Sequence, residues 1–159
     1  MIITDTGVYP GILNEEDVLI TTGMNVHACA GCFGCFTKTP GVCVVDDDIA
    51  DMGEKLAKCD DLYIVSRCWY GSYSPFVKTV MERCLSYIHP DFVIRDGVMR
   101  HKRRYNHEIR ISAFFYGENI EEAEKETARE LIRLNAINLY GKVSRIMFFT
   151  DALEIGGIQ

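Results

Sequence analysis

The apolar positions of this chain fall into short continuous runs separated by stripes of helical period. Val18, Leu19 and Ile20, within 17–21 and ahead of Gly23, predict a short strand. Residues 29–43 are too rich in Gly and Cys for regular structure over most of their length. Behind Asp46, Asp47 and Asp48, which suit a helix cap, Ile49, Met52, Leu56 and Ala57 recur with the spacing of an amphipathic helix. The continuous run 62–66 has the mark of a strand buried on both faces. Pro75 then opens a second helix with Phe76, Val80, Met81, Leu85 and Ile88 as its inner face. A small hairpin is expected at 92–99 around Asp96-Gly97, a strand at 109–116 and a long helix at 119–140. Gly141 is expected to end that helix in the C′ place, and 143–150 to form the last strand.

Strand and helix alternate from residue 17 onward, so the expected class is α/β, a parallel sheet with helices on both faces. No repeat, low-complexity tract or Gly/Ser linker divides 1–159, which reads as a single domain. Ligands of such sheets bind outside the carboxyl ends of the strands. The loops expected there are 29–43, 66–74 and 116–118.

Composition narrows the function classes. The 159 residues are 48% apolar with 17 aromatics, which excludes a disordered chain. A net charge of −6 argues against a general nucleic-acid binder, and no apolar run is long enough to span a membrane. The N-terminus has neither the basic nor the apolar region of a signal peptide, and seven cysteines, an odd number, speak against a disulfide framework. Both point to a cytoplasmic protein. Residues 95–110 hold six basic side chains against two acids, and 118–130 hold six Glu against two bases. The first reads as a solvated hairpin or a surface for cofactor phosphates or an acidic partner, the second as a complement to a helix N-terminus.

Two segments carry candidate chemistry. Cys29, Cys32, Cys35 and Cys43 have the two-residue gaps that let thiolates converge on one centre. The spacing is similar to compact runs that hold a 4Fe–4S cluster; structural zinc and packed free thiols are the alternatives. The second segment, Ser66-Arg-Cys-Trp-Tyr-Gly-Ser-Tyr-Ser74, joins the buried strand to the Pro75 helix. Exposed Trp69, Tyr70 and Tyr73 beside Gly71 would stack on a flat heterocycle whose edge bonds backbone N–H groups; packing on a partner subunit is the other reading. Cys59, Cys68 and Cys84 read as packing thiols, with Cys68 inside the ligand loop. His27, His89, His101 and His107 share no metal spacing, and no catalytic residue stands out.

Together, the four-Cys loop, the acids at 46–48 and the Ser66–Ser74 loop resemble the flavodoxin-like NADPH-dependent FMN reductases and iron–sulfur flavoproteins. Ser66, Gly71, Ser74, Lys78 and Arg83 match that family's strand-end loop and following helix, with Glu82 at its acid position; 95–105 resembles a further segment. Arg67 stands where Pro is usual and Trp69 where Tyr is usual. The resemblance implies a flavodoxin-like fold, bound FMN, and electron transfer with NAD(P)H or an electron-carrier protein in a dimer or larger homo-oligomer. Ser66, Arg67, Cys68, Trp69, Tyr70, Gly71, Ser72 and Ser74 would border the isoalloxazine ring, and Tyr116 and Gly117 would close its other side. The four cysteines would ligate a cluster nearby. Only sixteen residues precede Asp17, so the family's N-terminal phosphate-binding strand, loop and helix are expected to be lacking. That leaves open a degenerate binding or regulatory module without a working flavin site, or an iron–sulfur carrier or sensor.

Overall fold

The computed structural model describes residues 1–11 and 13–158. In chain order they form β1 (Ile2–Thr4), β2 (Leu19–Thr21), α1 (Gly34–Thr37), α2 (Met52–Ala57), β3 (Asp61–Arg67), α3 (Pro75–Arg83), β4 (Ile88–Arg95), β5 (Val98–Arg103), β6 (Arg110–Tyr116), α4 (Glu122–Asn138) and β7 (Lys142–Phe149). Short 3-10 helices occupy Cys84–Tyr87 and Ala152–Gly157. Five strands build one parallel sheet in the order β2-β1-β3-β6-β7, a flavodoxin-like α/β arrangement. β4 and β5 stand apart as an antiparallel hairpin, longer than the 92–99 expected.

The period-two alternation of the strands feeds two unequal layers. Leu62, Ile64, Ile111, Ala113 and Phe115 face one side, where they meet Met52 and Leu56 of α2, Val77 and Val80 of α3, and Ala128 and Ile132 of α4. Each fully buried Leu or Ile there contributes about 1.5–3 kcal/mol. On the other side Val65 and Phe114 are covered by Ile155 of the last 3-10 helix and by half-buried Val8, Tyr9 and Ile158. Helical elements therefore cover both faces, thickly on one and thinly on the other.

The front end corrects one expectation. Ile2–Thr4 is a strand, paired on one edge to Leu19–Thr21 and on the other to residues 63–65 of β3. The opening strand is present although it spans three residues, because Ile2 and Ile3 are buried by partners distant in sequence. Among the described residues no helix follows it before β2.

Helix boundaries moved for local reasons. Asn119 takes a left-handed φ of 58°, and Glu121 caps α4 in a reciprocal capping box with Glu124, so the helix starts at 122. At its other end Tyr140, with φ 56°, holds the left-handed place expected of Gly141. The N–H of Gly141 donates to Ala136 O (2.8 Å) and that of Tyr140 to Ile137 O (3.3 Å), a Schellman end. Gly141 is required for a different reason: a Cβ there would lie 2.5 Å from Ile109 O. In α3 the buried residues are Val77, Val80 and Arg83; Phe76, Met81 and Leu85 are only half-buried, and Ile88 begins β4.

Candidate functional site

The chain steps from β1 to β2 on one side and returns to β3 on the other, which makes the carboxyl ends of β1 and β3 the topological switch point. Three strand ends meet there. The Asp5 carboxylate, just past β1, accepts the Arg67 N–H (2.9 Å) and the Tyr116 hydroxyl (3.1 Å). The Cys68 N–H donates to Tyr116 O (2.8 Å), and the Gly117 N–H to Phe149 O (3.1 Å). Burial and the Asp5 charge push the Tyr116 phenol up to about 12, so it donates and stays neutral.

The loop after β3 is held from inside. The buried Ser66 hydroxyl accepts the Ser74 N–H (2.8 Å) and donates to Arg67 O (2.9 Å), tying the loop's two ends together. Ser74 in turn caps α3, with Pro75 in the first turn. At the tip Trp69 and Ser72 exchange backbone hydrogen bonds of 2.9 Å around Tyr70 and Gly71, both with positive φ. Gly71 is needed for its φ of 75° and because a Cβ would lie 2.7 Å from Thr127 Cβ on α4. Trp69 (48% exposed) and Tyr70 (83%) project from this turn, edge to face with ring centroids 6.4 Å apart. With Arg67, Cys68 and Glu124 they line a recess of about 250 Å³.

Tyr73 departs from the exposed position expected of it. It is 5% exposed, stacks on Phe115 at 5.9 Å and accepts a hydrogen bond from Asn135 (3.0 Å); burial pushes its phenol above the ordinary value. The amides of Cys68, Trp69, Ser72 and Ser74 are spent within the protein. Burial raises the Cys68 thiol, opposed by the Gly71 N–H. Ser72 faces a second, largely apolar groove of about 560 Å³, which it lines with Cys29, Tyr73, Met81, Leu131 and Leu139. A larger hollow lies at the opposite ends of the strands, beside Met1, Asp17 and Asp61.

The cysteine loop has a fixed root and an open tip. Asp47 and Arg83, both with fully buried side chains, pair through two bonds of 2.7 Å. Asp47 also accepts the N–H groups of His27 (2.9 Å) and Ile49 (3.2 Å), while Arg83 donates to His27 O (2.7 Å). Burial raises the Asp47 carboxyl, but the Arg83 and His27 hydrogen bonds and the Arg83 charge outweigh it and hold it at about 2. Beyond this root Cys32 is exposed and Cys29, Cys35 and Cys43 are half-buried, all as free thiols. Burial raises the Cys35 thiol, and the charges of Cys43, Cys29 and Cys32 add to it. Among the described residues no three Cys, His, Asp or Glu side chains are arranged to hold a metal ion. The donor set suits a soft metal or cluster, but a cage would require the tip to close around it.

Three site features escaped the sequence reading: Asp5 bridging strand ends, Glu124 at the recess, and Arg83 as a buried anchor. Each depends on a partner far away in sequence. Among the described residues no helix is long and apolar enough to cross a membrane.

No protein-family model matches the chain. It is similar to an iron-sulfur flavoprotein of Methanosarcina thermophila, 24% identical over 84 residues, 53% of this chain and 43% of that protein. The matched stretch thus spans less than half of the relative.

Proposed function

We propose that this chain is a flavin-dependent oxidoreductase of the flavodoxin-like kind, seating the flavin ring against Trp69 and Tyr70. The observation that carries the reading is the rigid aromatic turn at the β1/β3 switch point, where Trp69 and Tyr70 stand exposed over a recess of about 250 Å³. The fold and the similarity to an iron-sulfur flavoprotein support it. A bound flavin would supply the acceptance of hydride or single electrons and their release to an acceptor. The protein's part is to stack on the ring through Trp69 with Tyr70 at its edge, to present Arg67 and Glu124 at its rim, and to hold the loop through Ser66 and Gly71. NAD(P)H or a carrier protein would deliver the electrons. Cys29, Cys32, Cys35 and Cys43 would take a 4Fe–4S cluster by closing the loop above the Asp47–Arg83 root. FMN, the flavin that the family resemblance implies, is met unequally: its ring finds an aromatic wall, but the end of β1 offers its phosphate a carboxylate.

Titration of riboflavin and FMN with the purified chain, followed by ring fluorescence, tests the reading. Quenching is expected, weakened about tenfold by Trp69→Ala. Iron and sulfide added anaerobically are expected to give a brown absorbance that chelators remove. A protein that quenches neither flavin sinks the flavoenzyme reading. It would leave a binding module, for which the exposed Phe92, Ile94, Val98 and Met99 of the β4–β5 hairpin offer a surface for self-association.

A further inference from the structure

The end of β1 spends its Thr4, Asp5, Thr6 and Val8 donors within the protein. The buried Thr4 hydroxyl donates to Thr6 O (2.8 Å), and the Thr6 N–H returns a bond to Thr4 Oγ1 (3.1 Å). The Val8 N–H goes to Thr6 Oγ1 (3.4 Å), and the Asp5 N–H to Val65 O (3.3 Å). These donors are consumed by the turn and by β3, and what meets the Arg67 N–H and the Tyr116 hydroxyl is the Asp5 carboxylate. Charge runs the same way. Glu124 lines the recess with Arg67, and the Asp5 carboxylate sits against the Arg67 N–H and the Tyr116 hydroxyl, so carboxylates flank both ends of the loop's first residues. A phosphate needs convergent N–H donors and positive potential. A chain of hydroxyls needs acceptors, which this end has.

Resting on the flavin reading above, we propose that this site selects the uncharged flavin, riboflavin, over phosphorylated flavins. The ring stacks on Trp69 with Tyr70 at its edge, and the hydroxyls of the ribityl chain donate toward Asp5. A dianionic phosphate carried to the same place meets the carboxylates and is repelled.

The test compares riboflavin with FMN, which share one ring, in equilibrium fluorescence titrations of the full chain. Riboflavin is expected to bind about tenfold more tightly at low salt, the gap narrowing as salt screens the repulsion. Asp5→Asn is expected to improve FMN relative to riboflavin by about fivefold. Glu124→Gln, which keeps the capping box and so protects the fold, is expected to act in the same direction and more weakly. FMN binding as tightly as riboflavin at low salt overturns the proposal while the flavin reading stands. A gap indifferent to salt and to both substitutions overturns it as well. Failure to quench either flavin removes the flavin reading and this proposal together.

Discussion

The two candidate loops are held in opposite ways. The 66–74 loop is tied at its ends by Ser66 and locked at its tip by the left-handed Tyr70 and Gly71, so its aromatic side chains are preorganised. The cysteine loop is anchored at its root, where Asp47 and Arg83 pair out of contact with solvent, and by Phe36 against His101, while Cys32 at the tip is exposed. A stacking surface works best when it loses little freedom on binding. A metal cage draws its cohesion from the metal, so its protein part needs an anchored base and a tip free to close. Under the proposed function, the difference separates a flavin site complete in itself from a cluster site that its ligand finishes.

Breaking the root is expected to have the largest effect. Arg83→Met strands the Asp47 carboxylate in the interior and should lower stability by about 3–5 kcal/mol in urea denaturation. Adding Asp47→Asn to it should recover much of the loss, since no charge then stays buried. Acid probes the same pair. The Asp47 carboxyl is held at about 2, below its ordinary 3.8, so its contribution is fully present above that ordinary value and is lost as pH falls through the folded one. By linkage this amounts to about 2 kcal/mol, seen as a fall in stability between about pH 4 and 2 that the Asp47→Asn/Arg83→Met double variant lacks. Equal acid sensitivity in that variant would show that the Asp47 carboxyl does not carry the acid response.

The 66–74 loop breaks at its tip. Gly71→Ala adds strain at a φ of 75° and places a Cβ 2.7 Å from Thr127 Cβ and 2.9 Å from Glu124 O. A loss of about 1–3 kcal/mol is expected. Trp69 is the single tryptophan, so its emission reports this loop directly. A changed emission with the cysteine loop's protease resistance unaltered would confirm that the two loops are independent. An unchanged spectrum and stability would mean that the turn does not depend on glycine.

What could be read from the chain itself follows the same division between local and distant causes. The run at 62–66, the Ser74-Pro75 start of α3 and the alternation of strand and helix that implies a parallel α/β sheet are local patterns, and all reappear in the fold. β1 was missed because a three-residue strand has no pattern of its own and exists through pairing on both edges. Arg83 looks like a surface residue of a helix until Asp47, 36 residues away, makes its burial tolerable. The aromatic loop was legible as a cluster, but nothing local says that Tyr73 turns inward while Trp69 and Tyr70 turn outward. Asp5 carries no signal until the sheet brings Arg67 and Tyr116 to it.

The smallest expected effect sharpens the comparison from the other side. Cys32 is exposed, and its sulfur accepts one long contact from the Gly34 N–H at 3.4 Å, which a serine hydroxyl can also accept. Cys32→Ser should therefore change folding stability by less than about 0.5 kcal/mol, as surface substitutions away from packed features do. In anaerobic reconstitution the same variant should retain clearly less iron than the unsubstituted chain, because serine is a poor substitute for a thiolate on a soft centre. Urea denaturation and iron content of the reconstituted protein measure the two effects separately. A stability loss above about 1 kcal/mol would place Cys32 among packed structural residues. Undiminished iron would take it out of the ligand set, and the open tip of the loop would then need another explanation.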